Sequence, residues 1–185
     1  MEKKLWEVIA NQCAPVLTDV KPSNLLILTN EEEEAFLQME ELPGISRLCL
    51  YEGEHKSTWL LCRRDRLESE LVWPQTGDFL KLYGYSVLQE TLDEKLARLQ
   101  ERFAGYKEGR LPFPHEMGVF LGYPLGDVKG FIEHHGKDYL CSGYWKVYQN
   151  EQKAKSTFQL YKSVRDAVLQ LIMAGSNLYE ISYQA

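Results

Sequence analysis

A chain of 185 residues with 44% hydrophobic and 26% charged residues is long enough to bury a core and too apolar to remain disordered. Its apolar runs, such as Leu25-Leu26-Ile27-Leu28, are strand-sized, which excludes a membrane helix of ~20 residues, and its opening residues have no apolar segment of signal-peptide type. A net charge of −6 disfavours nucleic-acid binding by phosphate neutralisation, so the sequence reads as a cytoplasmic protein with one domain over residues 1–185.

The four cysteines (Cys13, Cys49, Cys62 and Cys141) form no C-x-x-C pair and read as small buried hydrophobes. Residues 3–12 predict a helix with Leu5, Val8 and Ile9 on one face, and Pro15 predicts its end. Pro15 and Pro22 imply an extended or turning backbone between Cys13 and Asn24. Leu25 to Leu28 predicts a buried strand. Thr29 or Asn30 then caps a helix whose first turn carries Glu31 to Glu34, where carboxylates favour the positive end of the helix dipole.

Ile45–Tyr51 and Ser57–Arg63 alternate as strands of a hairpin. The cluster Arg63-Arg64-Asp65-Arg66 reads as a solvated start to a short helix reaching Leu71, with an anion contact as the sharper alternative. Asp78 to Tyr83 predicts a further helix. Thr91 and Glu94 have capping-box spacing ahead of Leu92, Leu96, Leu99 and Phe103 on one helical face. Residues 106–112 form a polar linker and the place for any subdomain boundary.

The stretch from Phe113 to Gly136 organises the rest. It holds three of the four histidines and a glycine at every fourth position from Gly118 to Gly130. Pro114 suits a first helical turn, which would leave His115 and Glu116 exposed. A second helix runs from Pro124 to His134 with Val128, Phe131 and Ile132 inward, ended by Gly136. The run Gly143–Tyr148 predicts a strand with Tyr144, Lys146 and Tyr148 on one face and Trp145 and Val147 on the other. Asn150 would cap a long closing helix with Ala154, Phe158, Tyr161, Val164, Val168 and Leu171 buried. Asn177–Ala185 carries no assignable pattern. The predicted fold is α+β: a small mixed sheet of the early strands and the Gly143 strand, packed against several helices.

Four uses of the Phe113–Gly136 stretch are open. It is a structural corner whose glycines permit close backbone approach; or a helix-turn-helix, disfavoured because its second helix offers Gly126, Asp127, Lys129, Gly130 and Glu133 and no Arg, Asn or Gln to read bases. It could hold a metal or haem through His115, Glu116, His134, His135 or Cys141, with His115, His134 and Cys141 the metal candidates, although no spacing shows them to converge. It could also wall a small-molecule pocket. The candidate ligand-binding residues are then His115, Glu116, Lys129, Tyr144, Trp145, Lys146 and Tyr148, with aromatic walls and a lysine for an anion. Between Gly105 and Arg165 there are nine Lys/Arg and six Asp/Glu, so this part of an acidic chain is locally basic.

The residues Phe113–Pro124, Asp127–Ile132 and Gly143–Tyr148 resemble the signature of a bacterial family catalogued as domain of unknown function 3793. Cys13-Ala14-Pro15 and Lys21-Pro22-Ser23-Asn24-Leu25 resemble its opening motif. Gln12 stands where the resemblance implies His in many relatives, so it implies no metal role for that position here. The resemblance implies a cytosolic bacterial protein and supplies no catalytic residue and no cofactor. The leading expectation is a binding or accessory protein with a small-molecule pocket near His115 and Trp145, a protein partner also being open. The alternative is an enzyme or metal/haem handler using His115 and Glu116.

Overall fold

Leu5, Ile9, Ala10, Cys13 and Leu17 lie buried on one side of the first helix, α1 (Glu2–Leu17), in a computed structural model that describes residues 2–183. The helix continues through Pro15, past its predicted end. The proline forfeits one N–H of the backbone ladder, and the last carbonyls find other donors. Pro15 O accepts from the amides of Val20 and Lys21 (2.8 and 3.0 Å), while Arg63 donates to the carbonyls of Val16 and Leu17 (2.9 and 2.8 Å). Arg66 pairs with Asp19 in the same turn. Arg63 and Arg66, read from sequence as part of a solvated helix start, therefore cap α1.

Next come β1 (Ser23–Thr29), α2 (Asn30–Gln38), β2 (Ser46–Glu52) and β3 (Lys56–Cys62). Thr29 and Glu32 form the predicted type of cap as a reciprocal capping box on α2. The strands make one antiparallel sheet in the order β1-β3-β2. Period-two alternation sends Leu26, Leu28, Trp59 and Leu61 to one face and Leu60 and Cys62 to the other. A bulge after Cys49 places Leu50 and Tyr51 both on the second face. Side chains cover the outer edges of the sheet. The Gln12 amide bonds both the N–H and the carbonyl of Ile27 on β1 (2.9 and 3.0 Å), and Gln100 donates to the Cys49 carbonyl on β2.

The helices α3 (Arg64–Leu71), α4 (Pro74–Lys81) and α5 (Leu92–Lys107) follow, then α6 (Met117–Phe120) and α7 (Leu125–Glu133). They share one core on the second face of the sheet, with Leu67, Phe79, Leu96, Leu99, Phe103, Met117 and Phe120 packed together. A two-stranded ribbon, β4 (Cys141–Ser142) and β5 (Lys146–Val147), comes before α8 (Glu151–Ala174) and α9 (Leu178–Tyr183). The architecture is α+β with a long C-terminal helix. The strand at Gly143 is shorter than predicted and pairs with Cys141–Ser142, outside the main sheet, and both sheets are antiparallel.

The second half of α8 returns to α1, and Val168 and Ile172 join the core of the first sheet face. Its first half packs Ala154 and Tyr161 against Trp145 and Val147 of the ribbon. Leu171, predicted to be buried, is 46% exposed, and Ile172 takes its place. Asn150 stands at the cap position in left-handed conformation, but its side chain makes no capping bond. Part of the unassigned tail forms α9; Gln184 and Ala185 lie outside the described residues. No helix among the described residues is long and apolar enough to cross a membrane.

Candidate functional site

A cavity of about 320 Å³ opens between the end of α5, the Phe113–Leu121 segment, α7 and the ribbon. The segment is anchored from behind. Glu116 is fully buried and accepts from Arg102 of α5, and its Oε1 also accepts from the Tyr85 hydroxyl at 3.4 Å. This overturns the exposed first turn predicted for His115 and Glu116: the carboxylate goes inward because a guanidinium waits there to compensate it. His115, next in the chain, turns to the cavity. Its ring lies against Phe113 (centroids 5.3 Å) and Phe131 (5.6 Å). Partial burial holds its pKa below the ordinary value against the opposing charge of Glu116.

The opposite wall is built on Asp127 in the first turn of α7. Its Oδ1 accepts from the amides of Tyr148 and Gln149 (2.7 and 2.9 Å), and its Oδ2 accepts from the Trp145 indole N–H (2.7 Å). One buried carboxylate thus ties the ribbon to the helix and aims the indole. The ribbon can come this close because α7 has glycine where the strand crosses it. A β-carbon at Gly130 would fall 2.5 Å from the Tyr148 ring. Trp145 then packs against Tyr123 (5.1 Å) and edge-on to Phe158 (4.6 Å).

Lys146 completes the rim. Its Nζ donates to the Gly136 carbonyl (2.6 Å) and lies 4.8 Å from the Tyr139 ring centroid and 5.7 Å from that of Phe131. Val128, Met117, Leu121 and, from β1, Leu25 fill the remaining walls. The two stretches that carry the family resemblance meet here. Ser23 donates to the Phe120 carbonyl (2.6 Å), Pro22 abuts Gly122, and the Lys21 ammonium lies 5.0 Å from the Tyr123 ring centroid.

Of the candidate residues, His115, Trp145 and Lys146 line the cavity. Glu116 is directed to Arg102. Tyr144 packs on Phe158 and Tyr161 of α8, and Tyr148 stacks on His134. Lys129 is exposed and its charge is felt by Asp78, away from the cavity. Among the described residues no three His, Cys, Asp or Glu side chains group as a metal site requires, and this includes His115, His134 and Cys141. Gln12, at the position of the expected His, is engaged with the backbone of β1. Asp127, Phe113, Phe131 and Tyr123 were not among the candidates. Aromatic residues crowd the sequence motif, but a helix-start aspartate reads as dipole compensation, and its burial is set by the ribbon that folds over it.

The site is that of an α+β protein with an aromatic-walled cavity under a helix–ribbon clamp. The chain belongs to the family described as protein of unknown function (DUF3793), which it matches over residues 9–182. No curated protein and no solved structure matches it.

Proposed function

We propose that this protein is a binding or accessory protein that takes up a small, largely apolar molecule in the cavity between α5, α7 and the ribbon. One observation carries the reading: an aromatic and aliphatic enclosure whose polar side chains are His115, Lys146 and Asp127, with both Asp127 oxygens already engaged by N–H donors. A volume near 320 Å³ is at the lower end of the range for such sites, roughly 300–1,000 Å³, and suits a molecule of about two to three rings. The enzyme alternative needs a partner for His115, and its neighbour Glu116 is committed to Arg102. Against a groove-reading α7, the Gly126–Gly130 face is covered by the ribbon. The cytosolic bacterial setting is part of this proposal and follows the family resemblance.

The test is a fluorescence titration with the neutral probe N-phenyl-1-naphthylamine. Saturable, one-to-one uptake is expected. It should be lost in Val128→Phe and in Leu25→Trp, which fill the cavity from separate walls, with cooperative melting retained in at least one of them. Failure of the wild type to take up the probe, or uptake unchanged in a folded, filled variant, would overturn the reading.

A further inference from the structure

The cavity has a polar rim with a definite sign. Lys146 has no carboxylate within ion-pair distance among the described residues; its one hydrogen bond runs to the neutral Gly136 carbonyl, and its other neighbours are ring faces. An ammonium has three N–H donors, so two remain for a ligand, on a side chain already held in place by the rings. The Phe131 ring neighbours both groups, with the His115 ring centroid 5.6 Å and the Lys146 ammonium 5.7 Å from its own centroid. Asp127 would repel an anion if its oxygens were free, but three N–H donors are directed at them, which offsets most of that charge locally.

The body of the ligand is set by the walls. Phe113, Phe131, Tyr123 and Trp145 present ring faces and edges, which suit a flat π-system in offset or edge-on contact better than a coiling alkyl chain.

The geometry points to a flat aromatic carboxylate as the ligand class, its ring body against Phe131 and Trp145 and its carboxylate on the Lys146 ammonium. This rests on the cavity being a binding site at all. A charge-assisted hydrogen bond to a partly desolvated ammonium distinguishes such an anion from its neutral isostere by tenfold or more.

Calorimetry and displacement of N-phenyl-1-naphthylamine, with 2-naphthoate, 2-naphthylmethanol and octanoate as ligands, test the inference. In the wild type, 2-naphthoate should bind at least tenfold more tightly than 2-naphthylmethanol, and octanoate more weakly than 2-naphthoate. The preference for the anion should vanish in Lys146→Met, and in Lys146→Gln should the first variant fold poorly, and persist in Lys129→Met. If the neutral alcohol binds as tightly as the acid, or the preference survives the Lys146 variants, the anionic class is wrong and the binding reading stands. If octanoate binds more tightly, the aromatic body is wrong. If neither naphthalene ligand nor the neutral probe binds, both readings fall together.

Discussion

The ammonium of Lys21 is buried against the rings of Tyr123 and Tyr161 (5.0 and 5.8 Å), and burial brings its pKa down to about 8, opposed by Glu70 and Cys13. Below pH 8 the lysine is charged in both folded and unfolded chains, and the fold carries the whole desolvation cost. Between about 8 and the ordinary 10.5 the folded chain releases its proton first, so stability rises with pH by up to roughly 3 kcal/mol. Lys21→Met is therefore expected to melt higher than the wild type at pH 7, with the gap closing by pH 10; parallel thermal melts across that range check it. The buried pair in α5 and the Phe113–Leu121 segment makes an asymmetric prediction. Glu116 is fully buried and Arg102 is 22% exposed at its side chain, so stranding the carboxylate is worse than stranding the guanidinium. Urea unfolding should show Arg102→Met losing roughly 3–5 kcal/mol and Glu116→Gln about half that. Neither burial was legible in the sequence. Lys21 stands between two prolines in what reads as open turn, and Glu116 follows a proline in what reads as an exposed first turn. Each is buried by a partner far away along the chain.

At the scale of elements, what is local was readable. The capping boxes Thr29–Glu32 and Thr91–Glu94 are spelled out within four residues and form as their spacing requires. What depends on a neighbour was not. α1 outruns Pro15, and Arg63 at the β3–α3 junction satisfies its last carbonyls. The buried stripe of α8 shifts from Leu171 to Ile172 in a helix that lies on the ribbon in its first half and on α1 in its second. Gln12 belongs with these. Its amide stands in for a missing strand beside Ile27, at a half-exposed site where water can partly replace it. Gln12→Ala should therefore cost only about 0.5–1 kcal/mol. It should also speed hydrogen exchange at the Ile27 amide well beyond that at Leu26, whose register partner is Trp59 on the central strand; exchange mass spectrometry or NMR separates the two.

At the scale of the molecule, the sheet divides two cores, and the cavity lies where the early and late motifs meet. Sequence patterning located the motifs, but the alternation predicted for Gly143–Tyr148 does not hold in so short a ribbon: Lys146 lines the cavity beside Trp145, and Tyr144 packs on the same α8 rings as Trp145. Nor did patterning tell which helix would receive each ring, so the Tyr144 and Tyr148 rings lie outside the cavity while Phe131 and Asp127 complete it. The layer on the first face of the sheet joins distant parts of the chain, since α1 ends at Leu17 and its partner α8 begins at Glu151. On the ribosome, then, α1 can dock on β1 and α2 long before α8, which completes the same layer, has been made. Completing that layer closes a very long loop, and until then part of its apolar surface stays open to water and to other chains.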